Sequence, residues 1–152
     1  MEAPGIRGQV MLVFTLPSYP YVFKVIKDVF GHAKNTDRAT VRAKFAMVKQ
    51  VDRVGRMVDT LEFTGLALPR ERFSAELLEQ LATLAPSMIE TENDTLVVRH
   101  SYVERRMIPL NLYLDRATAD ELELAVIEYG NTIRDLAIAN IFPVTCSGGT
   151  SA

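Results

Sequence analysis

Two β-rich runs, Val10 to Thr15 and Tyr21 to Lys27, stand on either side of Leu16-Pro17-Ser18-Tyr19-Pro20. Val, Phe, Ile and Tyr dominate both runs, and two prolines with a serine between them are turn chemistry. A link this short joins antiparallel neighbours, because a parallel pair needs a crossover of about a dozen residues or more. The chain therefore commits early to an antiparallel sheet. Whatever follows has to cover one face of it.

From Asp37 the period changes. Val41, Phe45, Val48, Val51, Val54 and Val58 recur at spacings of three and four, which predicts a long helix, with Gly55 weakening its last turn. Leu61 to Leu68 reads as another strand. Ser74 is placed to cap a short helix with Leu77, Leu78, Leu81 and Leu84 on one face and Pro86 beyond its end. Asn93-Asp94 reads as a turn and Thr95 to Arg106 as a strand. Ile108-Pro109-Leu110 breaks that strand before a short extended stretch, Asn111 to Leu114. Thr118-Ala119-Asp120-Glu121 has the form of a capping box and opens a helix striped by Leu122, Ala125, Val126, Tyr129, Ile133, Leu136 and Ala137. Residues 144–152 are small and polar without a period and read as a disordered tail. The order strand, strand, long helix, strands, helix gives an α+β domain over residues 1–143. It matches the small lobe of a protein kinase followed by the first helices of the large lobe.

Within the second run, alternation places Val22, Lys24 and Ile26 on one face and Phe23, Val25 and Lys27 on the other. A lysine among apolar neighbours is the arrangement with which a kinase strand grips the α- and β-phosphates of ATP. An edge-strand lysine that reaches to water, or that discourages edge pairing, gives the same pattern. Gly5-x-x-Gly8, ahead of the first strand, lets backbone N–H groups approach phosphate oxygens, and equally makes any tight turn. Asp52, Arg56 and Asp59 share one face if the long helix continues, either as solvated ion pairs or as a carboxylate held for acid–base or metal work. Glu104 to Leu110 reads as a hinge whose backbone meets adenine, or as a charged strand end.

Several classes are excluded by composition. A net charge of -2, with no long run of like charge, leaves no electrostatic footprint for nucleic acid. The single cysteine, Cys146, provides no internal disulfide and fits a reducing compartment. The apolar run Val10 to Leu16 is too short to span a bilayer, and no membrane partner is expected. The chain reads as cytoplasmic.

Five strings carry a resemblance: APGIRG, VFTLPSYPYVFKVIKD, DRVGRM, RRMIPLNLYL and EYGNTIRDLAIANIFP. They closely resemble the kinase domain of the bacterial isocitrate dehydrogenase kinase/phosphatases, almost unbroken from Ala3 to Pro143. The resemblance implies an enzyme that uses ATP and a divalent metal, Mg2+ or Mn2+, to phosphorylate a serine of isocitrate dehydrogenase and that also removes the phosphate, setting flow between the citric acid cycle and the glyoxylate bypass. It places the nucleotide-binding run on Ala3, Pro4, Gly5, Ile6, Arg7, Gly8 and Gln9, the ATP-binding lysine on Lys24 and the active-site aspartate on Asp59. Gln9 departs from the family's usual apolar residue. Lys24's own carboxylate partner is expected on the long helix, as in other kinases. Beyond Pro143 the family continues with Gly-Asp-x-Leu-x-Lys-Asn-Phe-Gly and later Asp-Tyr-Asp, where this chain has Val144-Thr145-Cys146-Ser147. The catalytic-loop and metal-binding residues are therefore expected to be missing, the chain being an incomplete kinase-like domain. The alternative is a non-catalytic remnant that at most binds nucleotide or a protein.

Overall fold

A computed structural model describes residues 10–30, 36–55 and 59–142. The order is β1 (Met11–Thr15), β2 (Tyr21–Ile26), α1 (Arg38–Val51), β3 (Thr60–Pro69), α2 (Ala75–Leu84), β4 (Ile89–Glu92), β5 (Thr95–Arg105), α3 (Leu110–Leu114) and α4 (Ala119–Ile138). The five strands form one antiparallel sheet in the order β1-β2-β5-β3, with β4 pairing β5. This is an α+β fold of the kinase small-lobe kind. The chain divides into two compact units, Met1–Lys44 with Thr60–Arg106, and Phe45–Asp59 with Met107–Ala152.

In the first unit the β1–β2 link closes as a turn in which the Tyr19 N–H donates to the Leu16 carbonyl at 3.2 Å. Pro17 fits the second position of that turn, and Ser18 takes the third with a φ of 65°. Leu12 and Phe14 of β1 and Phe23 and Val25 of β2 point to one side, where they meet Leu77 and Leu81 of α2 together with Phe73, Leu96, Val98 and Val103. Phe14 stacks on Phe23 with ring centroids 5.4 Å apart, and Phe73 tilts onto Phe14 at 5.9 Å. Aromatic pairs in such offset or tilted contact add to what area burial alone provides. Ser74 caps α2 as its position predicts, accepting from the Leu77 N–H at 3.3 Å. The opposite side of β2 carries Lys24 between Val22 and the fully buried Ile26.

The long helix is shorter than its periodicity predicts. It starts after Asp37, whose side chain accepts from the Thr40 N–H at 2.7 Å, and it stops at Val51. Asp52 ends it by accepting from the Gly55 N–H at 2.8 Å, and Gly55 takes a φ of 71°, which a helix does not use. Of the expected stripe, Val41 is buried, Phe45 and Val48 are half-buried, Val51 and Val54 lie at or past the end, and Val58 lies outside the described residues. Asp52 and Asp59 consequently share no helical face, and Arg56 is outside the described residues.

In the second unit, Asn111 to Leu114 is helical where an extended stretch was expected. Pro109 precedes the helix, where its missing N–H costs nothing, and its carbonyl accepts from the Tyr113 N–H at 3.0 Å. The turn is thus completed by the proline that sequence reasoning took as a break. Thr118 and Glu121 form the expected capping box on α4. At the other end Asn140 adopts a φ of 58°, with Ile141 N–H to Leu136 carbonyl at 2.8 Å and Asn140 N–H to Ala137 carbonyl at 3.0 Å. Leu136 and Ile141, both buried, complete this left-handed cap. The predicted tail lies outside the described residues. Among the described residues no helix is long and apolar enough to cross a membrane.

Candidate functional site

Lys24 sits on β2, flanked by β1 on one side and β5 on the other. It is therefore an interior-strand residue, which removes the reading as an edge-strand guard. Its cross-strand neighbours are Val13 of β1 and Tyr102 of β5, so it occupies the sheet face away from the aromatic core. The side chain is 26% exposed, enough for an ammonium to meet a ligand but not to wave freely in water.

The ammonium has a carboxylate partner. Lys24 Nζ lies 2.5 Å from Glu104 Oε2, and Glu104 is 17% exposed. Glu104 Oε1 in turn accepts from the Thr60 hydroxyl at 2.5 Å. The expectation of a partner on the long helix is corrected here for a simple reason: α1, RATVRAKFAMVKQV, contains neither aspartate nor glutamate. The register explains what replaces it. Val22 faces Glu104 and Lys24 faces Tyr102, so Glu104 is the diagonal neighbour of Lys24, within reach of a long side chain. Thr60 stands directly opposite Glu104 on β3. One carboxylate thus ties together three adjacent strands.

Further along the same face lies a second polar group that sequence reasoning missed. His100 Nε2 is 2.7 Å from Glu62 Oε1, and Arg42 of α1 reaches the same oxygen at 3.1 Å. A carboxylate oxygen only accepts, so Nε2 carries the donated proton. Tyr102 meets the His100 ring edge-on, centroids 4.9 Å apart. The Glu62 carboxyl is held below its ordinary range, first by the His100 hydrogen bond and then by Arg42, against the opposing effect of burial. The Tyr102 phenol is pushed up, mainly by burial and next by the Glu62 charge. The signal for this cluster was the period-two run His100, Tyr102, Glu104, polar groups on one side of a strand whose other side carries Ser101 and Val103.

The remaining expected site residues are placed as follows. Ala3, Pro4, Gly5, Ile6, Arg7, Gly8 and Gln9 lie outside the described residues. Asp59 is exposed and immediately precedes β3. Arg106 donates its N–H to the Pro20 carbonyl at 2.9 Å. Met107 and Ile108, in the stretch read as an adenine-contacting hinge or a charged strand end, are exposed.

Chemically, Lys24 is a partly exposed cation with hydrogen-bond donors to spare. An ammonium has three donors, and the Glu104 contact leaves others for an anionic ligand. Among the described residues there is no group of three or more His, Cys, Asp or Glu that could hold a metal ion.

Comparison with known proteins adds the wider context. The family model for the isocitrate dehydrogenase kinase/phosphatase (AceK) kinase domain matches residues 1–146. An isocitrate dehydrogenase kinase/phosphatase of Azoarcus sp. (strain BH72) is 70% identical over 141 residues, covering 93% of this chain and 24% of that protein. Proteins of the same name from Aromatoleum aromaticum and Dechloromonas aromatica are 67% and 61% identical, again over 93% of this chain and 24% of their own length. The chain spans about a quarter of the length of the curated relatives it matches.

Proposed function

The chain belongs to the isocitrate dehydrogenase kinase/phosphatase family, and from that membership we propose that it supplies the phosphate-gripping part of an enzyme that transfers a phosphoryl group from ATP to a serine of isocitrate dehydrogenase and also removes it. The observation that carries this reading is the Lys24–Glu104 pair at 2.5 Å on an interior strand, on the face opposite the core. Lys24 neutralises charge on the α- and β-phosphates. The run Ala3 to Gln9, which includes Gly5 and Gly8, is assigned to the same nucleotide on the family resemblance. Asp59 serves phosphate removal. Mg2+ or Mn2+, expected from the family resemblance, would neutralise phosphate charge if bound with ATP, and no described residue of this chain is assigned to hold it.

Phosphoryl transfer depends on positioning and charge stabilisation, including a carboxylate that orients the attacking hydroxyl and oxygen ligands that hold the metal. Lys24 and the glycine run provide part of the phosphate grip and neither of those. We therefore expect this chain on its own to transfer no phosphate. The test uses a hybrid enzyme, the Azoarcus sp. protein with residues 1–142 of this chain replacing its matching stretch. Incubated with ATP, magnesium and isocitrate dehydrogenase, the hybrid should add one phosphate per substrate by mass. Lys24→Met should abolish that addition while leaving the thermal midpoint nearly unchanged. Retained activity in Lys24→Met would overturn the role given to Lys24. Serine phosphorylation by the isolated chain would overturn the division of labour.

A further inference from the structure

We infer that Glu104 is the positioning residue for Lys24, and that the lysine's grip on phosphate is set within the sheet, independently of α1. The inference rests on the reading of Lys24 as the nucleotide lysine. In other protein kinases the corresponding lysine pairs with a glutamate from the long helix, so that moving the helix makes or breaks the pair. Here that device is unavailable, because α1 offers no carboxylate along its whole length.

Glu104 is suited to the task in its place. Both of its oxygens are engaged, Oε2 with Lys24 and Oε1 with the Thr60 hydroxyl, each at 2.5 Å. The three residues stand on β2, β5 and β3, whose mutual register is fixed by backbone hydrogen bonds. A lysine ammonium ends a flexible four-carbon stem, and holding it in one place costs rotamer freedom. Glu104 holds it before any ligand arrives, and Thr60 keeps the carboxylate from following the lysine. A change in the position of α1 leaves this pair intact. The Arg42 side chain of α1 reaches the sheet at Glu62, a different carboxylate, and at the Tyr102 phenol, and meets neither Lys24 nor Glu104 in the contacts described.

The prediction is a division among four substitutions in the hybrid enzyme. Glu104→Gln keeps the side-chain size but removes the charge, and it should lower kcat for phosphorylation on the order of tenfold to a hundredfold, the range expected when a reacting group is displaced, with a smaller change in KM for ATP. Thr60→Val should act in the same direction to a lesser degree, and Thr60→Ser, which keeps the hydroxyl, should restore the rate. Arg42→Ala, which loosens α1 from β3, should stay within about twofold of the parent, since it touches neither partner of the pair. Should Glu104→Gln fail to fold, the Thr60→Val and Thr60→Ser pair decides the matter. If Lys24→Met abolishes activity while Glu104→Gln and Thr60→Val leave kcat within about twofold, the nucleotide reading stands and the positioning role falls. If Arg42→Ala is as damaging as Glu104→Gln, the grip depends on α1 and the inference is overturned. Activity surviving Lys24→Met removes the premise itself.

Discussion

Asp28, two residues beyond β2, joins three parts of the first unit through one carboxylate. Ser87 donates to it twice, from its N–H at 2.8 Å and its hydroxyl at 2.5 Å, and Arg38 at the start of α1 pairs with it as well. Burial pushes the Asp28 carboxyl up, but the hydrogen bonds from Ser87 and Arg38 outweigh it and hold the group below its ordinary value of 3.8. A depressed carboxylate contributes stability that is present above the unfolded value and is lost as pH falls through the lower folded value. Asp28→Asn should therefore cost about 1.5–3 kcal/mol at neutral pH, the usual range for hydrogen bonds to a charged group, and less once pH falls below the ordinary value of 3.8 and through the lower folded one. Denaturant midpoints of the hybrid and its variant at neutral pH and below the folded value check this, and an equal loss at both would refute it. Asp59 leads to a different expectation. It is exposed and ends one residue before the strand that carries Thr60, so Asp59→Asn should leave folding intact. In the hybrid it should impair dephosphorylation of phospho-isocitrate dehydrogenase more than phosphorylation, and equal losses in both would sink its assignment to phosphate removal. Lys24 was legible in the sequence because alternation within one strand is local. Glu104 and Thr60 were not, because pairing β2 with β5 and β5 with β3 is decided by long-range sheet order, which periodicity does not carry.

Elements with strong local signals were read correctly for reasons that lie within a few residues. Ser74 and Thr118 cap helices because a side-chain oxygen can satisfy a nearby N–H, and both do so. The elements that differed were decided by backbone details. Gly55 in a left-handed conformation and the Asp52 side chain ended α1 against an apolar period that ran on, and β4 was missed because Ile89-Glu90-Thr91-Glu92 is short and becomes a strand by pairing with β5. Gly65 is the position in the sheet where such a detail can be tested. It lies inside β3 with a φ of 65°, opposite the stretch of β5 that runs between the partners of β2 and of β4. A Cβ there would meet nothing within 4 Å, so any penalty comes from backbone conformation and not from crowding. Gly65→Ala should cost about 1–2 kcal/mol, the usual penalty for forcing an L-residue left-handed. Gly65→Asn, whose side chain tolerates that region better, should recover part of it. Equal stability of all three in denaturant unfolding would show that β3 relaxes to an ordinary strand conformation.

The two units differ in how they bury apolar surface. The first has a closed core in which Phe14 and Val25 are fully buried and Leu77 and Leu81 nearly so. In the second, α4 buries Leu136, whereas Leu122, Val126, Tyr129 and Ile133 of its predicted stripe are 43%, 60%, 43% and 46% exposed. Leu124, Ile127 and Ile138 are exposed too, so the apolar character extends around the helix. A helix with apolar residues on more than one side is ordinarily buried on more than one side. Burying a large apolar side chain completely is worth about 1.5–3 kcal/mol, and leaving several half-exposed forgoes a sum comparable with the net stability of a domain. The isolated chain should therefore associate with itself through α4. Sedimentation at micromolar concentration should give species larger than 17.0 kDa that dissociate on dilution. Val126→Glu together with Ile133→Lys, both at exposed positions, should shift the chain toward monomer without loss of helix content, because neither change enters the first unit's core. In the hybrid enzyme the same pair of changes should be damaging, since there the relative's remaining sequence is available to cover α4. A parent chain that sediments as a monomer and unfolds in one cooperative transition would mean that the exposed side chains cause no association.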